Sequence, residues 1–207
     1  GEVDSVLILA CGTSYYAGLV ARYWIEAIAG IPCSVEIASE YRYRESVPNP
    51  DALIITVSQS GETADTIAAL QYAKSLGQNL SLAICNVAES TLIRLASLKF
   101  LTRAGPEIGV ASTKAFYAQI AAGYLLSFVL AREILGRPAA SEHETLTALR
   151  NLPTAMQKVL QQSEQVARIA RTHATKRRSW ALVGNGRNRV AAEGRLTGLA
   201  SLKDGGI

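Results

Sequence analysis

Residues 54–66 read Ile-Ile-Thr-Val-Ser-Gln-Ser-Gly-Glu-Thr-Ala-Asp-Thr, and this stretch predicts how the chain folds. It opens within an apolar, largely β-branched run, Leu53–Val57, of the kind found in strands buried on both faces of a parallel sheet. A helical pattern begins directly after it, with apolar residues at Ile67, Leu70 and Ala73. The stretch therefore predicts a strand, a polar glycine turn and a helix.

The turn carries the side chains that point to a ligand, namely Ser58, Gln59, Ser60, Gly61 and Thr63. A helix N-terminus offers unpaired N–H groups and the positive end of the helix dipole, and hydroxyls add further donors. Serine and threonine also cap helices, but one cap needs one such residue and this turn packs three into six positions. The predicted ligand is a phosphate on a small polar molecule.

A second copy of the same arrangement opens the chain, where the apolar strand Val6–Ala10 leads into Cys11-Gly12-Thr13-Ser14 and a predicted helix over 15–29. Further strands are predicted at Cys33–Ala38, Leu80–Cys85 and Leu98–Thr102, and a long apolar helix at Thr113–Leu135. This alternation predicts an α/β fold, a three-layer sandwich with a central parallel sheet of the flavodoxin-like type. Because ligands bind outside the carboxyl ends of such strands, three loops are expected to converge, Cys11–Ser14, Ser58–Thr63 and Glu107–Ser112.

Composition bounds the class of protein. A chain of 207 residues with a net charge of +4 fits one α/β domain or slightly more, and its one basic cluster, Lys176–Arg178, lacks the interleaved aromatics of a nucleic-acid surface. The most apolar segment, Ala115–Ala131, is broken by Gln119 and Ser127, so no membrane partner is expected. The start of the chain enters a strand without a signal peptide or a methionine, as expected of a fragment of a longer protein.

Cysteine usage favours the cytoplasm. Cys11, Cys33 and Cys85 are far apart and form no C-x-x-C pair, so we expect reduced, buried thiols in a cytoplasmic protein. A nucleophilic Cys11 stays open, but neither histidine has a supporting context. No metal and no cofactor are predicted.

Three domains are predicted: residues 1–135 as a ligand-binding domain, 136–178 as a helical connector, and 179–207 as the incomplete start of a second domain. The connector is expected to be interrupted by Pro153 and to pack across the first domain. Residues 180–183 are predicted to form the first strand of the second domain, followed by Gly184-Asn185-Gly186 and a helix from Arg189.

Four motifs in order, at Cys11–Ser14, Glu36–Arg44, Ser58–Thr66 and Glu107–Phe116, resemble the isomerase (SIS) domains of the glucosamine-6-phosphate synthases, the glutamine–fructose-6-phosphate aminotransferases (isomerizing). The resemblance extends over about residues 6–194 and implies the SIS fold, a site for fructose 6-phosphate or glucosamine 6-phosphate, and a homodimer. It implies that phosphate is held by Ser58, Gln59, Ser60 and Thr63 with Gly61, and that the sugar lies by Cys11, Gly12, Thr13, Ser14, Val110, Ala111 and Ser112. For Glu107 and Lys114 an anchoring role is favoured over acid/base work.

The chain departs from the family where the family keeps its acid/base residues. Ala191, Glu193 and Gly194 match the start of the family's catalytic helix, but Thr197 and Ala200 stand where its Lys and Glu belong. The catalytic residues are therefore unknown, and the glutaminase domain expected in a full-length protein has no counterpart here. The resemblance thus implies a sugar-phosphate-binding fragment with little activity alone. The alternatives are a non-catalytic SIS sensor or regulator and an SIS-family deaminase or deglycase.

Overall fold

Among the residues that the structure describes, five strands form one parallel sheet with the order β2-β1-β3-β4-β5. The structure is a computed structural model, and it describes residues 3–107, 114–136, 138–174, 181 and 183–203. The strands are β1 (Ser5–Ala10), β2 (Cys33–Ile37), β3 (Ala52–Ser58), β4 (Ser81–Cys85) and β5 (Leu98–Leu101). The predicted α/β fold with a parallel central sheet is confirmed.

The strand β3, predicted from the opening stretch, lies at the centre of the sheet, and every one of its residues is buried. In the register, Ala10 of β1 pairs with Val57, and Ser58 pairs with Cys85 of β4. The carboxyl ends of β1, β3 and β4 therefore lie side by side, with about 5 Å between neighbouring strands.

Helices cover both faces of the sheet. The predicted helix over 15–29 is α1 (Gly12–Trp24) continued by a π-helical turn (Ile25–Ala29), which ends at Gly30 with φ +71°. The short helical turn expected after β2 is α2 (Ala38–Tyr41). The remaining helices of this part are α3 (Ala64–Ser75), α4 (Thr91–Leu95) and α5 (Lys114–Leu135).

Helix α5 is long and apolar enough to cross a membrane by length and composition, yet its inner face is part of the core. Phe116, Gln119 and Ser127 are each at most 2% exposed. A Cβ added at Gly123 would lie 2.6 Å from Cβ of Ala21, so α5 and α1 approach each other closely at this glycine. The burial of one face is what a core helix of a soluble protein requires, and the structure is compatible with such a protein.

The contacts divide the chain into two units: unit 1 comprises residues 1–137 and 184–207, and unit 2 comprises Pro138–Val183. Helix α8 (Gly186–Lys203) belongs to unit 1 and packs on α1. A Cβ added at Gly194 would lie 2.8 Å from Cβ of Tyr16 and 2.9 Å from Cζ of Phe116, so a larger residue would force these neighbours to shift. The predicted boundaries at 135 and 178 stay predictions.

Unit 2 holds α6 (Glu142–Leu160) and α7 (Ser163–His173). The expectation that Pro153 interrupts the connector was wrong, because Pro153 lies inside α6 and the chain turns instead at Gln161–Gln162. A proline removes a single backbone donor, and the ladder of the helix continues on either side of it. Several large apolar residues of this unit are exposed: Leu152, Met156, Val159, Leu160, Val166 and Ile169.

The predicted first strand of a second domain, residues 180–183, lies mostly outside the described residues. Its two described residues, Ala181 and Val183, are not in a strand.

Candidate functional site

The strand order places a topological switch point between β1 and β3. From β1 the chain crosses to β2 on one side, and from β3 it continues to β4 on the other side. The loops after β1 and β3 therefore diverge and leave a crevice between them, which is where open α/β sheets bind ligands. Both polar motifs predicted from the sequence lie at this crevice.

The first loop, which follows β1, places the N-terminus of α1 at the crevice. Cys11 occupies the N-cap position and makes no side-chain hydrogen bond to the helix, and Gly12 adopts φ +56° with open space where a Cβ would stand. The N–H groups of the first helical turn, at Gly12, Thr13 and Ser14, have no partner within the helix. Thr13 is half-buried and Ser14 is buried, so this loop presents backbone donors and one accessible hydroxyl.

The second loop, residues 58–63, is held in shape by hydrogen bonds of its own hydroxyl groups. Oγ of Ser58 accepts the N–H of Gly61 at 3.0 Å and shares a hydrogen bond of 3.1 Å with Oγ1 of Thr63. Ser58 is only 4% exposed, whereas Gln59, Ser60 and Thr63 are half-buried. When Ser58 donates to Thr63, the hydroxyl hydrogen of Thr63 is free for a ligand. Ser58 is thus placed to shape the loop and Thr63 to face outward.

Gly61 is the residue at which this loop packs against Cys85 and Ser90. It adopts φ +69°, and a Cβ added there would lie 2.1 Å from Oγ of Ser90 and 2.8 Å from Sγ of Cys85. The N–H of Asn86 donates to the carbonyl of Gln59 at 3.2 Å, and the N–H of Leu92 donates to the carbonyl of Gly61 at 3.1 Å. The loop is therefore fixed by the chain between β4 and α4.

Thr63 takes the N-cap position of α3 without a side-chain hydrogen bond to that helix. Simple capping, the alternative weighed for these hydroxyls, is therefore not what the Thr63 side chain does. The helices α1 and α3 thus begin at the ends of neighbouring strands, and neither N-cap side chain forms a hydrogen bond to its helix. The combined dipoles of two such helices favour an anion in the crevice.

Of the third predicted loop, Glu107–Ser112, the structure describes only Glu107. Val110, Ala111 and Ser112 lie outside the described residues. Oε2 of Glu107 accepts the N–H of Ala115 at 2.8 Å in the first turn of α5, a contact that fits the anchoring role expected for Glu107.

Asn86, which the sequence analysis did not single out, organises the start of the same loop. Its Oδ1 accepts the N–H of Ala104 at 2.7 Å, and its Nδ2 donates to the carbonyl of Gly105 at 2.8 Å. Asn86 directly follows a predicted strand, and that position at the ligand edge was the signal that could have identified it.

The three thiols differ in their surroundings. Cys33 and Cys85 are buried, and burial, aided by the nearby carboxylate of Glu26, raises the pKa of the Cys33 thiol to about 12. Cys11 is half-buried at the mouth of the crevice. Within the described part of the chain, no cluster of three or more potential metal ligands occurs.

A groove of about 630 Å³ lies elsewhere in unit 1, toward the amino ends of β3, β4 and β5. Its lining is mostly aliphatic, including Leu80, Leu98, Val129 and Ile134. An aliphatic lining offers few hydrogen-bond donors to an anion. We therefore place the candidate site at the switch point.

Thr197 and Ala200, the two positions at which the sequence analysis expected a departure from the family, lie in α8, and their side chains are outside the described part of the structure. Glu193, which matches the family motif, lies with its Oε1 3.7 Å from Nε of Arg189.

Fold and site together define a class: a doubly wound α/β domain whose switch point joins two uncapped helix N-termini to hydroxyl-rich loops. The model of the SIS domain family matches residues 2–128, more than half of the chain. The chain belongs to the SIS domain family.

The relatives are consistent with this membership. The chain is 55% identical over 195 residues to the glutamine–fructose-6-phosphate aminotransferase [isomerizing] of Bordetella parapertussis, which covers 94% of this chain and 32% of that protein. The C-terminal domain of glucosamine-fructose-6-phosphate aminotransferase from Francisella tularensis superposes with a TM-score of 0.74 and 43% identity, covering 81% of this chain and 47% of that chain. The glucosamine-6-phosphate deaminase of Thermotoga maritima shares the fold, with a TM-score of 0.56 and 23% identity over 62% of this chain and 40% of that chain. This chain spans about a third of the length of the curated relatives it matches.

Proposed function

We propose that this chain is the sugar-phosphate-binding SIS subdomain of a glutamine–fructose-6-phosphate aminotransferase (isomerizing), with fructose 6-phosphate and glucosamine 6-phosphate as its ligands. The observation that carries the proposal is the pair of uncapped helix N-termini at the switch point, α1 after Cys11 and α3 after Thr63. The 55% identity to a protein whose name includes fructose 6-phosphate supports the choice of a hexose phosphate.

The phosphate would lie against the loop 58–63 and the first turn of α3, accepting from Ser60, Thr63 and backbone N–H groups. Ser58 would contribute chiefly by holding Gly61 and Thr63 in place, because its own hydroxyl is buried. The sugar would extend toward Thr13 and the loop that includes Val110, Ala111 and Ser112. No metal or cofactor is part of this proposal.

In the whole protein the reaction would be isomerisation of a ketose phosphate to an aldose phosphate with amination, in the cytoplasm and in a homodimer with a glutaminase domain. Proton transfer between adjacent carbons needs an acid/base pair poised near neutrality. Neither Thr197 nor Ala200 carries an ionisable side chain, so we propose that this chain binds hexose phosphates without turning them over.

Isothermal titration calorimetry on the full chain tests the proposal, with fructose 6-phosphate and glucosamine 6-phosphate as ligands and inorganic phosphate and fructose as comparison compounds. Thr63→Val removes the outward hydroxyl while keeping its shape, and the loss of one hydrogen bond to a charged group predicts a weakening of about ten- to a hundredfold. Ser58→Ala is expected to weaken binding as well, through the loop that it shapes.

Ser75→Ala is the matched control, because Oγ of Ser75 donates to the carbonyl of Tyr72 at the opposite end of the same helix. It removes a hydroxyl of α3 and is expected to leave binding unchanged. Binding of fructose 6-phosphate no tighter than that of fructose, or unaltered binding by Thr63→Val, would refute the proposed site.

A further inference from the structure

The loop that faces the proposed phosphate contains two carboxylates, Glu62 and Asp65, one on either side of Thr63. Asp65 lies in the first turn of α3. A negative charge at a helix N-terminus occupies the same positive potential that would attract a phosphate, and two like charges there oppose each other. A phosphate can therefore bind at the start of α3 only if both carboxylates are paired with other groups of the protein.

Glu62 is engaged by the neighbouring helix. Its Oε1 accepts the N–H of Thr91, the first residue of α4, at 2.8 Å. This hydrogen bond lowers the pKa of the Glu62 carboxyl below its usual value. The charge of Glu62 is thus directed to the start of α4 rather than to the start of α3.

Asp65 is engaged by an arginine from another element. Nη1 of Arg42 donates to Oδ1 of Asp65 at 2.7 Å. Arg42 stands directly after α2, at the carboxyl end of β2, and therefore reaches Asp65 from the same edge of the sheet that holds the ligand loops. Its guanidinium also lies 4.6 Å from the centre of the Tyr43 ring, a second contact that orients it.

We propose that Arg42 is a positioning residue for the phosphate site: by pairing with Asp65 it neutralises the carboxylate that would otherwise repel the ligand at the start of α3. This inference rests on the function proposed above. The pair is partly exposed, with 27% of the Arg42 side chain and 41% of the Asp65 side chain accessible, so solvent reduces the effect. Given the usual effect of a charge in the first turn of a helix, Arg42→Ala is expected to weaken phosphate binding by about two- to fivefold.

A double-mutant cycle tests the pairing, with inorganic phosphate and fructose 6-phosphate titrated calorimetrically into the full chain. Asp65→Asn removes the repulsion and is expected to bind as tightly as the wild-type chain or tighter. The double variant Arg42→Ala with Asp65→Asn is expected to bind within about twofold of Asp65→Asn alone, since without the carboxylate the arginine has nothing to neutralise.

Two further measurements separate charge from structure. Arg42→Lys keeps the positive charge and is expected to restore most of the affinity lost in Arg42→Ala, and 0.5 M NaCl is expected to shrink the deficit because salt screens exposed charges. Arg22→Ala is the matched control: Arg22 forms a similar exposed pair with Glu26, 3.1 Å between Nε and Oε1, toward the far end of α1. It changes the net charge equally and should not change phosphate affinity.

The possible results of these titrations distinguish a failure of this inference from a failure of the proposed function. Phosphate binding that is weakened equally in Arg42→Ala and in the double variant would mean that Arg42 does not act through Asp65. Unaltered phosphate binding in Arg42→Ala would mean that the charge of Asp65 does not reach the ligand. Either result overturns this inference and leaves the proposed function intact. A wild-type chain that binds neither fructose 6-phosphate nor inorganic phosphate would overturn both.

Discussion

Replacing Gly61 by alanine should damage the fold and the ligand loop together. The backbone at Gly61 has φ +69°, which costs an L-residue about 1–2 kcal/mol. The added Cβ would also lie 2.1 Å from Oγ and 2.5 Å from Cβ of Ser90, and such overpacking typically costs about 1–3 kcal/mol. The lower backbone entropy of alanine in the unfolded chain offsets about 0.4–1 kcal/mol. The expected net loss of unfolding free energy is therefore about 1–4.5 kcal/mol.

The matched control is Gly30→Ala. Gly30 has φ +71° but no atom within 4 Å of an added Cβ, so it carries the same backbone strain without the clash. The difference between the two variants isolates the contact with Ser90 and Cys85.

Urea unfolding followed by circular dichroism measures the effect. With an m-value of about 1–3 kcal/mol/M, the clash alone should lower the midpoint of Gly61→Ala by about 1 M relative to Gly30→Ala. Adding Ser90→Gly to Gly61→Ala removes the two closest atoms and should recover part of the lost stability. The remaining loss is expected from the contact with Sγ of Cys85, 2.8 Å away. Equal midpoints for Gly61→Ala and Gly30→Ala would refute the reasoning.

Two other predictions concern the core. Gly123→Ala should lower the unfolding free energy by about 1–3 kcal/mol through its contact with Ala21, and Ala21→Gly combined with it should restore part of the loss in the same urea assay; additive effects would contradict the contact. Because the Cys33 thiol stays neutral in the folded chain up to about pH 12 while the unfolded thiol ionises near its ordinary value of 9.0, stability should fall as pH rises from 9 toward 12. Cys33→Ala should remove that part of the fall, and parallel pH profiles for the two chains would argue against it.

The sequence was sufficient for the features that depend on local pattern. Short apolar runs such as Leu53–Val57 mark strands because a central parallel strand must be apolar on both faces. The hydroxyl-rich turns after two of those runs mark the ligand edge, since strand ends of a parallel sheet meet there. The positions of these two loops at the carboxyl edge of the sheet could therefore be predicted without coordinates.

The features that could not be predicted from the sequence depend on contacts between residues that are distant in the chain. Nothing near Gly61 in the sequence indicates that Ser90 and Cys85 will lie behind it, and nothing near Asp65 indicates that Arg42 will reach it from the end of α2. The same holds for Pro153, whose effect depends on whether the helix continues beyond it. These outcomes follow from tertiary packing, which local periodicity does not encode.

The packing of α8 on α1 has a consequence for the order in which the chain acquires its structure. Tyr16 in α1 and Gly194 in α8 are neighbours in space although most of the chain separates them in sequence. Closing so long a loop carries an entropic cost that shorter-range strand pairing does not, and such contacts form late. During synthesis from the N-terminus, the sheet can assemble while the outer surface of α1 is still bare. Helix α8, which is synthesised after the sheet, then covers α1, whose N-terminus borders the crevice at the switch point.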